Sequence, residues 1–334
     1  MKKNHSKKFP KLILLTFIIL TFTLYGCKGF EEEYSKSGFF FDTVVNVSIY
    51  DNDKSHADKV LTKCIDLCTY YDSIFSVNNP ESDIYKINNS NGSEVLVSED
   101  TIFILEKAIE YSKQSNGLFD ITIEPLYELW DFNSSEHINL PDKNNINELI
   151  KNVDYSNINI SPINKTVTLK KGSKITLGAL AKGYIADKLK EYLISEGITS
   201  GVINLGGNIQ TFGTKPDKTP YTIGIQKPFS NNGEIATTVQ IINKSVVTSG
   251  TYQRYFEHNN ICYHHIINPN TGYPADSNLS SVSIITENSL DADAYSTICM
   301  LLGYEDSVDF LNSLNMDISA VFIDNNGNIK ELSR

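Results

Sequence analysis

The sequence predicts an α+β protein, with mixed sheets and flanking helices. From Gly201 onward the pattern is mostly that of strands, at residues 202–205, 221–226, 236–242, 262–267 and 279–286. Before Gly201, segments with apolar residues three and four apart dominate. The two kinds of segment mix without a regular βαβ beat, so a doubly wound parallel sheet is not expected.

In order along the chain, residues 39–50 alternate Val45, Val47 and Ile49 with Asn46, Ser48 and Tyr50, as a half-buried strand does. Residues 55–75 then set Val60, Cys64, Cys68, Tyr71 and Phe75 along one helical stripe. A second helix over about 99–112 turns Ile102, Leu105 and Ile109 inward, with Gly117 soon after its end. Residues 166–169 and 174–177 read as a hairpin around Lys171-Gly172. A helix over 180–195 stops at Gly197, and one over 292–302 stops at Gly303. A strand over 318–323 and the turn Asn325-Asn326-Gly327-Asn328 close the chain.

Ahead of these elements, Lys2, Lys3, Lys7, Lys8 and Lys11 precede an apolar run from Leu12 to Leu24, the layout of a secretory signal and too short for a membrane span. The run ends at Leu24-Tyr25-Gly26-Cys27, which resembles the lipobox of bacterial lipoproteins. That resemblance implies a signal peptide over 1–26, a lipidated Cys27 opening a linker over 27–38, and a domain over 39–334, extracytoplasmic and anchored to the cell membrane. Cleavage would remove five lysines and no acid, taking the net charge from −11 to −16. Such acidity argues against nucleic acid as a partner and against charge-driven adhesion to anionic lipid, leaving the acyl chains as the only hold on a membrane. Cys64 and Cys68 lie one helical turn apart with parallel side chains, a poor geometry for a disulfide, and read as buried free cysteines.

Four segments hold more polar chemistry than periodicity explains. In Gly117-Leu118-Phe119-Asp120-Ile121-Thr122, followed by Trp130, the aspartate can serve a ligand or cap a turn. Thr176-Leu177-Gly178-Ala179-Leu180-Ala181-Lys182-Gly183 is a strand-to-helix crossing whose small residues admit a ligand or simply pack, and Lys182 offers a point charge for a diphosphate. Thr248-Ser249-Gly250 leads on to His264-His265, which point to opposite faces of a strand, and to the turn Asn268-Pro269-Asn270-Thr271-Gly272. In Asp291-Ala292-Asp293-Ala294-Tyr295-Ser296-Thr297, Asp293 and Thr297 share a helix face and can turn oxygen toward one magnesium ion, though either aspartate can instead cap the helix.

Together these pieces resemble the ApbE family of FAD:protein FMN transferases. The resemblance also takes in Phe41-Asp42-Thr43, Phe75-Ser76, Leu205-Gly206-Gly207-Asn208 and Ile225-Gln226-Lys227-Pro228, and it covers nearly everything after the linker. It implies two intimate subdomains with FAD in the cleft between them and magnesium on the diphosphate. Carried over, the metal ligands are the Ala179 carbonyl, Asp293 and Thr297. Phe41, Asn78, Leu118, Phe119, Asp120, Thr176, Lys182 and Ile267 line the FAD site, and His265 handles the acceptor's proton. The implied reaction joins FMN to a threonine or serine of another protein through a phosphoester, releasing AMP. Its acceptor is a flavoprotein of a membrane or extracytoplasmic redox system, with a motif like Asp-Gly-x-Thr/Ser-Gly-Ala-Thr/Ser that this chain lacks. FAD hydrolysis to FMN and AMP, or flavin binding without catalysis, are the alternatives. Three positions depart from the family: Thr176 and Asn268 stand where aspartate is usual, and Asn78 where some relatives have an aromatic residue.

Overall fold

The computed structural model describes residues 31–132, 140–230 and 233–333. Cys27 and the signal peptide read from the sequence lie outside them. Eight strands form one antiparallel sheet: β1 (Glu32–Phe40), β2 (Thr43–Asp51), β6 (Gly201–Leu205), β7 (Asn208–Phe212), β10 (Ser245–Gly250), β13 (Leu279–Thr286), β14 (Ser319–Asp324) and β15 (Ile329–Leu332), in the order 1-2-6-7-10-13-14-15. The strand β1, from Glu32, thus overlaps the stretch over 27–38 expected to be linker. The single strand expected over 39–50 is a hairpin, in register from Glu32↔Asp51 to Phe40↔Thr43. Its two-residue turn is Phe41-Asp42, both left-handed with φ of 54° and 57°. Neither residue is a glycine or asparagine, so no turn signal announces it.

Helices α1 (Lys54–Phe75), α6 (Ala181–Ser195) and α7 (Ser289–Leu302) bring their apolar faces into the main core with this sheet. α1 buries Val60, Cys64, Cys68, Tyr71 and Phe75, the expected stripe, and both cysteines are free. The hairpin of β8 (Tyr221–Gln226) and β9 (Ile235–Ile241) forms a second cluster, in which Tyr221, Ile225 and Ile241 meet Val246, Ile285, Val321 and Ile323. Along β13, Val282 and Ile284 join the first core and Ile285 the second, so every residue of that strand is buried.

A three-stranded sheet joins β3 (Val95–Leu96), β5 (Thr166–Leu169) and β4 (Ile158–Ser161). β5 therefore pairs back onto β4, whereas the expected partner was 174–177. The chain does turn at Gly172, but Lys174 bridges to Ile123, because Asn88 and Ile121 hold the backbone of Ile175 and Thr176 on another path. α2 (Asp83–Asn88) and α3 (Glu99–Gln114) flank this sheet. A satellite core gathers α4 (Glu124–Trp130), α5 (Lys143–Ile150) and the hairpin β11 (Tyr255–His258) and β12 (Ile261–His264) around Trp130, whose indole N–H donates to the Gly272 carbonyl at 2.8 Å. α8 (Tyr304–Ser313) completes the helices of the described residues.

Candidate active site

The crossing before α6 is built so that one carbonyl is left free. Ile175 is pinned by Asn88 through two hydrogen bonds of 2.7 and 2.9 Å. The Leu177 carbonyl accepts from both Leu180 and Ala181, at 2.9 and 2.8 Å, and the helix starts there. The Gly183 N–H, which would ordinarily reach back four residues to Ala179, donates to Asp293 Oδ2 at 2.9 Å. Among the described residues no backbone N–H donates to the Ala179 carbonyl. Gly183 is required here: a Cβ would meet the Ser289 backbone and come within 2.7 Å of Leu290 Cα.

α7 brings the opposing oxygens. Its first amides are capped from α6, since Asp187 accepts from Ser289 N at 2.8 Å and Leu290 N at 2.9 Å. Burial pushes the Asp187 carboxyl up to about 7 against the pull of those two N–H groups. Because the helix begins at Ser289, Asp293 sits in its second turn and does not cap it. Asp291, in the first turn, accepts from the Tyr111 hydroxyl at 2.6 Å. Asp293 is only 4% exposed. Burial raises its pKa, while Lys182, the Gly183 N–H and the Asn208 amide oppose the rise. Thr297 and Ser296 lie beside it, and Ser249 Oγ on β10 is 3.2 Å from Thr297 Oγ1 and 2.8 Å from Ser296 Oγ.

One carboxylate, a free carbonyl and hydroxyls form a donor set suited to a hard cation such as magnesium. No group of three or more His, Cys, Asp or Glu that could hold a metal occurs among the described residues, so a site of the zinc type is not indicated.

His265 lies where the chain passes between the two cores, Ile266 belonging to the main one and Ile267 to the satellite. Its backbone N–H donates to the Arg254 carbonyl at 3.1 Å, and its Nδ1 is 3.3 Å from the same oxygen. Burial, then the neighbouring His264, Arg254 and Lys182, push its pKa down to about 3, so the ring is neutral. The strand expected over 262–267 ends at His264, and His265 follows it in a bend, so the two histidines do not alternate across one strand. His264 is structural: Nε2 is 3.0 Å from the Ala275 carbonyl and Nδ1 accepts from Ile266 N. Arg254 lies 3.9 Å from Asp42, which places the Phe41-Asp42 turn near His265. Phe41 N donates to Asp72 at 3.2 Å, holding a bulky residue in a conformation it rarely adopts.

The remaining expected residues behave differently from one another. Lys182 is half-buried, with Nζ 3.4 Å from the Gly178 carbonyl, and acts on both Asp293 and His265. Thr176 is half-buried, and its Oγ1 accepts from Gly178 N at 3.4 Å. Asp120 uses Oδ1 on its own loop, accepting from Thr122 N and Oγ1 at 2.8 and 2.6 Å, and Oδ2 on Tyr155 N at 2.8 Å, in a segment distant along the chain. It therefore acts as a turn carboxylate. The Phe119 and Ile267 side chains are core residues, Leu118 is half-buried, and Asn78 is exposed in the turn after α1. Asn268 keeps its turn as an aspartate would, accepting from Asn270 N at 2.9 Å. Ser249, Asn208, Asp187 and Arg254 were given no role from the sequence. Two surface cavities, of about 390 and 500 Å³ around Lys244 and Ile241, include none of these residues.

Compared with known proteins, the chain matches the ApbE family over residues 41–322. The chain belongs to the ApbE family. With that membership it is an enzyme, a transferase. The FAD:protein FMN transferase of Klebsiella pneumoniae is 34% identical over 298 residues, covering 89% of this chain and 90% of that protein. The protein of the same name in Treponema pallidum is 31% identical, covering 89% and 86%. Among solved structures, the ApbE protein of Thermotoga maritima superposes with a TM-score of 0.83 at 30% identity, over 90% of this chain and 96% of that one. The α+β expectation thus holds: the arrangement of sheets and helices is the ApbE fold.

Proposed function

We propose that this ApbE-family chain is a magnesium-dependent FAD:protein FMN transferase. What supports the reading is that the Ala179 carbonyl accepts from no backbone N–H among the described residues while Gly183 N donates to Asp293, that Thr297 follows Asp293 by one helical turn, and that Lys182 acts on both Asp293 and His265. The three oxygens would hold the magnesium, which when bound neutralises charge developing on the diphosphate. Compensation of this kind is needed, because a chain with a net charge of −11 repels FAD.

Lys182 offers its ammonium to the same diphosphate. His265 takes the proton from the acceptor threonine or serine as that oxygen bonds to the FMN-side phosphorus and the bond to the AMP oxygen breaks. In the free protein His265 is a weak base, because burial above all, and then His264, Arg254 and Lys182, hold its pKa down. A bound diphosphate would offset the part of that shift that the two cations cause. Phe41 and Thr176 are candidates to line the FAD site. Leu118, Phe119 and Ile267 would contribute mainly through backbone and shape.

The acceptor is proposed to be another protein carrying the Asp-Gly-x-Thr/Ser-Gly-Ala-Thr/Ser-like motif, and Cys27 the lipid anchor that holds the enzyme outside the cytoplasm. The test mixes enzyme, FAD, magnesium and a peptide or protein bearing the motif, and looks for flavin fluorescence that survives denaturing electrophoresis. Label on the acceptor and not on the enzyme is the expected result. Release of AMP with no labelled protein would favour FAD hydrolysis, and binding without turnover would leave a flavin-binding protein.

A further inference from the structure

Glu124 is a buried carboxyl that the chemistry above does not use. It is 5% exposed and opens α4, yet that helix has no side-chain cap hydrogen bond, so Glu124 does not serve its amides. Among the described residues it has no ion pair either: the nearby Lys174 ammonium lies 2.8 and 2.7 Å from the two oxygens of Glu128. Burial, with Glu128 adding to it, pushes the Glu124 carboxyl up to about 7. A buried acid without an ion pair or a backbone donor is costly, and such groups concentrate where a ligand will partner them.

What the carboxyl does face is Thr176. The two are held together by backbone: Thr176 N donates to the Ile121 carbonyl at 2.9 Å, and Ile123 bridges in parallel to Lys174. The Thr176 hydroxyl in turn accepts from Gly178 N, one residue before the free Ala179 carbonyl. A line of polar groups therefore runs from the proposed diphosphate site through Thr176 to Glu124, and a dinucleotide carries a nucleoside half on each side of its diphosphate.

We propose that Glu124, together with Thr176, is a specificity-determining residue that accepts hydrogen bonds from the adenosine half of FAD. The inference rests on the reading of the site as an FAD site. Thr176 brings a hydroxyl and no charge, and Glu124 supplies the carboxyl from the neighbouring segment. A site built to pair with a ligand's polar groups discriminates strongly against ligands that lack them, so FAD is separated from FMN at this wall.

The test is titration of the full chain with FAD, FMN and ADP, each with magnesium, in wild type, Glu124→Gln, Glu124→Ala and Glu124→Ala combined with Thr176→Asp, with melting temperatures recorded alongside. Glu124→Ala should raise Kd for FAD and ADP by about tenfold or more and leave FMN unchanged. Glu124→Gln, which keeps one acceptor, should lose less, and Thr176→Asp should recover part of the loss. Unchanged FAD affinity in Glu124→Ala, or FMN weakened as much as FAD, overturns the inference while leaving the flavin transferase reading in place. A wild-type chain that binds neither FAD nor ADP overturns both.

Discussion

The segments at 117–122 and 292–297 look alike in sequence, each an aspartate set among apolar residues, and the structure gives the two acids opposite work. Asp120 spends its oxygens on three donors of its own loop and of Tyr155, so it holds the chain in place. Asp293 accepts from a single backbone amide, Gly183 N, and by taking that amide it frees the Ala179 carbonyl four residues earlier. An acid whose acceptors are all used locally is a structural device, whereas one with spare acceptors beside unpaired oxygens has the makings of a ligand site.

The widest separation of the two roles comes from substituting each acid. Asp293→Asn should abolish magnesium-dependent transfer while the chain still folds, because the amide oxygen can keep the Gly183 N–H. Asp293→Ala should lose transfer and also lower the melting temperature. Asp120→Ala should cost about 1–3 kcal/mol of stability, with turnover per folded molecule largely kept. Full magnesium-dependent turnover in Asp293→Asn, or its complete loss in well-folded Asp120→Ala, would collapse the distinction.

The two adjacent histidines repeat it at smaller scale. His265→Ala should slow transfer by about 100-fold or more while FAD affinity, read by fluorescence titration, stays near wild type. His264→Ala should leave the Ala275 carbonyl and Ile266 N–H without their ring partner, so it should appear as a lowered denaturation midpoint more than as a lowered kcat. If the two effects came out reversed, the proton would have to go elsewhere.

Much of this was legible in the residues. The α1 stripe, the strands β6, β8, β9, β13 and β14 and the shared face of Asp293 and Thr297 follow from spacing alone, because periods of 3.6 and 2 fix which side chains meet, whereas β7, β10, β11 and β15 were not expected. The Phe41-Asp42 turn was not legible, since two non-glycine residues in the left-handed region carry no sequence signal. The pairing of β5 with β4 was missed because Lys171-Gly172 does turn, and only Asn88, far away in sequence, diverts the strand that follows. Burial of Asp293 and Glu124 depends on packing between distant segments, and so does the cap that Asp187 places on another helix. The resemblance to the ApbE family supplied roles for Ala179 and Lys182 that local pattern left open.

Gly183→Ala tests the seam between the two helices. The added methyl would press on the Ser289 and Leu290 backbone, so α7 would have to move away from α6. The expected result is about a tenfold loss of transfer, partly restored by raising magnesium, because the displacement loosens Asp293 without removing it. A loss that magnesium leaves untouched would show that the contact matters for folding alone.

The smallest effect is one of pH, and it concerns how firmly α7 is held. Burial sets the Asp187 carboxyl at about 7, above the 3.8 of a free aspartate, with Lys190 lowering it and Asp291 raising it. Between those values the folded chain keeps a proton that the unfolded chain releases. The associated stability is therefore complete below about pH 4 and is lost as pH rises toward 7, beyond which it changes no further. His265, pushed down to about 3, works in the opposite direction, with stability lost as pH falls below its free value of 6.5. Raw melting curves mix the two groups, and subtracting the curve of Asp187→Asn from that of wild type isolates the first. That difference should decline steadily from pH 4 to 7, by a few degrees in melting temperature, with Asp187→Asn offset at all pH values because an amide can accept from only one of the Ser289 and Leu290 N–H groups. A difference that stays flat from pH 4 to 8 would mean that Asp187 ionises as a free aspartate does, and that its two amide partners fully offset its burial.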